Sequence, residues 1–173
     1  MIFFGGKMNR ILVSMQDDIE RDESNAAFFD LAESGKIEDF VSRVLSRLGY
    51  DGEEVSVLFC DDGFIREYNR NDRGIDAPTD ILEYENGDEY EDDEGRWLVA
   101  GDMLISFETL PKNAAYFGVG VDEELKRLLV HGSLHLNGYD HGDAHVEPGV
   151  VPTDEMLRLQ EDVLAEFASV RLI

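Results

Sequence analysis

The chain has 173 residues, 43% of them hydrophobic and 31% charged, which suits one compact domain with a real core, and no Pro/Gly/Ser-rich linker divides it. A single cysteine, Cys60, excludes an internal disulfide and fits a reducing compartment, and no apolar run approaches the length that spans a membrane. The formal net charge of −24 excludes a general basic footprint for nucleic acid, so any phosphate contact must rest on local charge.

In chain order, the opening MIFFGGKMNR has only a very short apolar patch before its charged residues and does not read as a secretory signal, which leaves a cytoplasmic location as the expectation. Met8 stands directly before the first strand, so residues 1–7 are expected to be dispensable. Asn9 to Met15 alternates loosely and predicts a strand, and the polar run DDIERDESN predicts a loop. From Ile37 to Leu48 apolar residues recur at helical spacing until Gly49 stops them, the pattern of an amphipathic helix. Glu54 to Cys60 predicts a buried strand, with Cys60 an inert thiol among apolar neighbours.

Asp61 or Asp62 can cap a helix that runs towards Asn69. Arg66, Arg70 and Arg73 follow at helix-like spacing. They make either a local basic stripe suited to RNA phosphates or an ordinary solvated face paired with Asp62 and Asp72, and the spacing leaves both open. Gly74 and Pro78 force a loop before a strand from Thr79 to Tyr84. Eight acids and no basic residue lie between Glu83 and Glu94, and residues 85–95 therefore read as a solvated, mobile connection, with an acidic binding patch as the alternative. Trp97 to Ala100 and Met103 to Phe107 continue as a strand, in which Gly101 permits a bulge or a close backbone approach. Pro111 opens a short helix. Another begins near Val121, with Asp122, Glu123 and Glu124 at its N-terminus and Leu125, Leu128, Leu129 and Leu136 facing the core. A last helix runs from Pro152 to Phe167. Strands and helices do not form a regular βαβ series, so the fold class is α+β.

All four histidines fall between Leu128 and His145. His131 and His135 stand four apart on one helical face, with rings about 6 Å apart. Gly138 can take the left-handed conformation that reverses the chain and brings His141 back to the same point. Three converging imidazoles suit a zinc ion with its fourth position open, the arrangement of a catalytic site. The spacing is that of the long zincin pattern except that Gly132 replaces the glutamate, which in zinc peptidases is the general base. His145 lies beyond the turn and reads as a solvated loop residue, with a fourth ligand as its alternative. Asp140 is a candidate acceptor for a ligand's free N–H, with turn capping as its alternative. Met156 either lies beneath the histidines or simply packs the core.

The run HGSLHLNGYDH, from His131 to His141, resembles across its whole length the signature of the YbeY family of zinc-dependent endoribonucleases. Asn69, RGIDAPTDIL from Arg73 to Leu82, GDMLIS from Gly101 to Ser106, and Glu155-Met156 also have counterparts in order, so the similarity covers most of the chain from about residue 54 onward. The resemblance implies a zincin-like single domain, residues 1–173, with a mixed four-stranded sheet, surrounding helices and the metal helix near the centre. It implies one Zn2+ held by His131, His135 and His141 and a functional Arg73; Asp102, Asp140 and Met156 stand beside these as candidate supporting residues, and Arg66 and Arg70 as candidate RNA contacts. The implied activity is single-strand-specific RNA cleavage in late ribosomal RNA processing, at the 3′ end of 16S rRNA, and in ribosome quality control. The implied partners are an rRNA precursor and the small ribosomal subunit, with no membrane. Two departures add negative charge near the substrate path: Asp72 stands where an aromatic residue usually precedes the arginine, and Glu83-Tyr84-Glu85 replaces a Ser-Phe-Pro run. The alternatives are another zinc hydrolase such as a small peptidase, which needs a base elsewhere, and a non-catalytic zinc-stabilised module on the ribosome, against which the open fourth position argues.

Overall fold

The computed structural model describes residues 8–173, so the expected dispensability of residues 1–7 lies outside the described residues. The elements are β1 (Arg10–Met15), α1 (Ala26–Glu33), α2 (Lys36–Arg47), β2 (Glu53–Cys60), α3 (Asp62–Arg73), β3 (Ile81–Glu85), β4 (Glu89–Asp92), β5 (Gly95–Ser106), α4 (Thr109–Phe117), α5 (Val121–Leu136) and α6 (Glu155–Glu166). The class is α+β as expected, but the sheet has five strands rather than four, in the order β1-β2-β5-β3 with β4 also on β5. β1 and β2, and β2 and β5, run parallel, while β3 and β4 run antiparallel to β5. The fifth strand exists because β5 is 12 residues long: its first part pairs with β4 and its second with β3.

Residues 85–95 are therefore not a mobile connection. They hold the end of β3, the whole of β4 and the turn into β5. Arg10 on β1 gathers this acidic ribbon, reaching Asp92 at 2.8 Å and Glu94 at 2.5 Å and stacking 4.0 Å above the Trp97 ring. The indole N–H donates to Asp92 at 3.0 Å. All four β4 side chains are exposed, so this strand carries no apolar alternation from which it could be read. Helix α1 was also not expected. Its Phe28 and Leu31 are buried, and the turn before it is closed by the Asp22 carboxylate, which accepts from the Ser24 and Asn25 N–H groups at 2.8 and 3.2 Å.

The two faces of the sheet follow from strand alternation. Val55, Val57, Phe59, Ile81, Met103 and Ile105 join the main core with Phe28, Phe40, Leu125 and Leu129. Cys60, Leu82 and Leu104 form a smaller cluster with Ile65 of α3 on the opposite face. There burial pushes the Cys60 thiol up to about 12, the inert cysteine that the sequence predicts. Asp61 caps α3 by accepting from the Phe64 N–H at 2.7 Å. That helix runs on to Arg73 before Gly74, at φ 72°, ends it. Helix α6 starts later than expected, at Glu155, because the Asp154 carboxylate caps it through the Leu157 N–H at 3.1 Å. No helix among the described residues is long and apolar enough to cross a membrane.

Helix α5 lies close against the sheet, and Gly132 is the reason. A Cβ at Gly132 would stand 2.6 Å from the Met103 sulfur and 3.1 Å from Cδ1 of Ile81. Leu125, Leu129, Val130 and Leu134 are fully buried around it, and at about 1.5–3 kcal/mol for each large apolar side chain their burial fixes the helix in place.

Candidate metal centre

Helix α5 presents His131 and His135 one turn apart, with ring centroids 4.5 Å from each other. The helix stops at Asn137 and Gly138 reverses the chain at φ 85°. His141 then returns, its ring 5.3 Å from that of His131 and 5.1 Å from that of His135. One ring nitrogen from each of the three lies within 4.8 Å of the others.

Which nitrogens converge follows from their partners. His131 Nδ1 meets Gln160 Oε1 at 2.7 Å, His135 Nδ1 meets the Tyr139 carbonyl at 3.0 Å, and His141 Nδ1 meets the Ala144 carbonyl at 2.7 Å. Each partner is an acceptor, so the proton belongs on Nδ1 and the lone pair is left on Nε2. The Gln160 amide is oriented by its own N–H, which donates to Glu161 at 3.2 Å. Glu161 in turn holds Arg127 of α5 at 3.0 Å, and Arg127 reaches Glu124 at 3.2 Å. This ion-pair chain fastens α6 to α5 and places Gln160 against the ring of His131. Burial, reinforced by the neighbouring His135, pushes His131 down to about 4, and burial also lowers His135. Both are thus held neutral, the state a metal requires. The donor set fits zinc: three neutral imidazoles with fixed tautomers and a side left open to a cleft of about 670 Å³.

Arg73, at the end of α3, reaches around β3 into this cleft. Its guanidinium lies 3.6 Å from Oε2 of Glu83. Glu83 faces α5 because it shares the parity of Ile81 on β3, and its Oε1 lies 3.8 Å from Nε2 of His131. Burial raises the Glu83 carboxyl to about 7, against the pull of Arg73.

The remaining candidates lie elsewhere. Arg66 pairs with Asp76 at 2.9 Å, and neither it nor Arg70 lines the cleft. Asp102 points to the other face of the sheet, into a smaller groove beside Tyr68 and Tyr84, because its neighbour Met103 takes the core side. Asp140 caps the turn by accepting from the Gly142 N–H at 3.0 Å; it is not the acceptor for a ligand ring. Met156 is buried in the main core, while Leu157 and Gln160 of the same helix line the cleft. His145 is exposed at the rim, its ring 6.1 Å from that of His141. Sequence reasoning missed Gln160 and read Glu83 only as an added charge. A glutamine at helical spacing between Met156-Leu157 and Val163-Leu164, on an otherwise apolar face of α6, is the signal that could have found Gln160.

The family model described as "Endoribonuclease YbeY" matches residues 18–168. A curated relative of that name from Treponema denticola is 46% identical over 138 residues, covering 79% of this chain and 85% of the relative. The Treponema pallidum protein of the same name is 45% identical over 137 residues, 79% of this chain and 82% of its own length. The solution structure of TM1509 from Thermotoga maritima superposes with a TM-score of 0.52 at 26% identity, covering 94% of this chain and 91% of that one. With its three-histidine centre inside the matched region, this chain belongs to the Endoribonuclease YbeY family.

Proposed function

We propose that this chain is a zinc-dependent endoribonuclease that cuts single-stranded RNA during late ribosomal RNA processing, at the 3′ end of 16S rRNA on the small ribosomal subunit, and serves ribosome quality control in the cytoplasm. The observation that carries the reading is the convergence of three imidazole Nε2 atoms in one cleft with the guanidinium of Arg73. A zinc ion held by His131, His135 and His141 would supply Lewis acidity at a phosphodiester. The chain supplies the rest. Gln160 and the carbonyls of Tyr139 and Ala144 keep each ring in one tautomer. Arg73 offers its planar fork to two phosphoryl oxygens, whose charge grows in the transition state. Because positive charge is local on a chain of net −24, RNA binding rests on few phosphates and weakens only gradually with salt.

A peptidase reading is disfavoured at Gly132. The position that carries the glutamate in zinc peptidases is a glycine packed against the Met103 side chain, where a Cβ would stand 2.6 Å from the sulfur and Met103 would have to shift. The experiment is cleavage of a single-stranded RNA by zinc-loaded protein beside His135→Ala. Cleavage that stops with a chelator and is absent from the variant supports the proposal; cleavage by His135→Ala at the wild-type rate refutes it.

A further inference from the structure

Glu83 is a buried carboxylate for which the fold provides an incomplete set of partners. Its side chain is 9% exposed, and Oε1 has no hydrogen-bond partner among the described residues. The other oxygen, Oε2, faces Arg73 at 3.6 Å, an ion pair without hydrogen-bond contact. Two residues earlier on the same face of β3 stands Ile81, a core side chain. A buried acceptor left open in this way costs stability, so its presence calls for a donor that arrives with a ligand.

The place of that oxygen says which donor. Glu83 lines the cleft together with the three histidines, and its Oε1 lies 3.8 Å from Nε2 of His131. Zinc peptidases put a glutamate beside such nitrogens from the residue after the first histidine. Here the residue after the first histidine is Gly132, packed against Met103 and without a carboxylate, and β3 delivers one to the same cleft from across the edge of the sheet.

We propose that Glu83 is the catalytic residue that orients the attacking water and accepts its proton, a role resting on the phosphodiester-cleaving reading above. Water donates a hydrogen bond to Oε1, and its proton passes to that oxygen as the new O–P bond forms. The P–O bond to the departing ribose breaks, the ribose oxygen takes a proton from bulk water, and Glu83 releases its own to solvent. Arg73 lies on the far side of the same carboxylate, so the group that holds the phosphate and the group that holds the nucleophile keep each other in position.

The test compares full-length wild type, Glu83→Gln and Glu83→Asp, each loaded with zinc. Gln keeps the shape and an oxygen for Arg73 to approach but does not accept the proton. Metal content is measured first, and then single-turnover cleavage of a single-stranded RNA over a range of protein concentrations, which separates the rate constant from half-saturation. Glu83→Gln is expected to keep one metal per chain, to half-saturate at the same or a lower protein concentration, and to cleave about 10²–10⁴-fold more slowly, with Glu83→Asp recovering part of the loss. A wild-type rate constant in Glu83→Gln overturns the proposal, and tighter half-saturation as the only change shows a carboxylate that merely screens Arg73. Loss of metal shows a ligand instead, and a 2′,3′-cyclic phosphate on the product shows attack by ribose; either result also overturns it. If wild type cleaves no RNA, the ribonuclease reading falls. The same comparison on bis(4-nitrophenyl) phosphate then decides Glu83 separately, supported by a rate lost in Glu83→Gln and overturned by equal rates or by no hydrolysis in wild type.

Discussion

Replacing Glu83 by glutamine should change the stability of the metal-free protein in a way that depends on pH. The carboxyl has an ordinary value of 4.5 and is raised by burial to about 7 in the fold. Between those values the folded chain binds a proton that the unfolded chain has lost, so stability falls as pH rises through the window. At about 1.36 kcal/mol for each tenfold change in proton affinity, the cost of the buried charge at pH 7 is about 3 kcal/mol. A buried glutamine amide with incomplete partners returns about 1–2 kcal/mol of that cost, which leaves Glu83→Gln more stable than wild type by about 1–2 kcal/mol. At pH 5 most of the wild-type cost is gone, because the carboxyl is protonated in the fold, and the difference between the proteins should shift towards wild type by about 2 kcal/mol. His131 has the opposite sign. Its imidazole is lowered from 6.5 to about 4, so the unfolded chain binds the extra proton and stability is lost as pH falls from 6.5 to 4. In wild type the Glu83 slope opposes that of His131, whereas Glu83→Gln removes the opposing slope; the buried Glu124, also raised to about 7, contributes equally to both proteins and leaves the difference between them unchanged. Thermal unfolding followed by circular dichroism at pH 7 and pH 5 reads the effect, at about 2–4 °C per kcal/mol for a chain of this size. The same difference in melting temperature between the two proteins at both pH values would refute the reasoning.

Gly101→Ala should cost more than about 3 kcal/mol in urea unfolding, since its Cβ would fall 2.0 Å from the Tyr84 carbonyl oxygen at a residue with φ 148°. Gln160→Leu should fold but bind zinc about 10–100-fold more weakly in a competition titration, because the ring of His131 loses the acceptor at 2.7 Å that fixes its tautomer. Arg73→Ala should keep its zinc by elemental analysis and lose about 10²–10³-fold in RNA cleavage, with Arg73→Lys restoring only part of it, because an ammonium cannot reproduce the two-pronged contact.

Local signals carried the histidine centre. Four-residue spacing on a helix and a glycine turn are properties of neighbouring residues, and His131, His135 and His141 meet as they predict. The cap at Asp61 and the inert Cys60 were readable for the same reason. What escaped depends on distant pairing. Glu83 enters the cleft only because β3 lies against β5 in a register that sets it opposite Met103, and Gln160 reaches His131 only because Arg127 and Glu161 join α5 to α6. Strand β4 was hidden by its acids, whose partner Arg10 lies some eighty residues away in sequence. Asp102 shows the converse: alternation from the core residue Met103 already assigns it to the opposite face, a deduction that the motif around it obscured.

The most direct measurement titrates zinc into metal-free protein and reads bound metal and RNA cleavage on the same samples. Cleavage should rise in proportion to occupancy and stop rising at one zinc per chain, with His145→Ala following the same line and His131→Ala/His135→Ala binding no metal and cleaving nothing. Zinc retained by the double variant, or full cleavage at zero occupancy, would contradict the account.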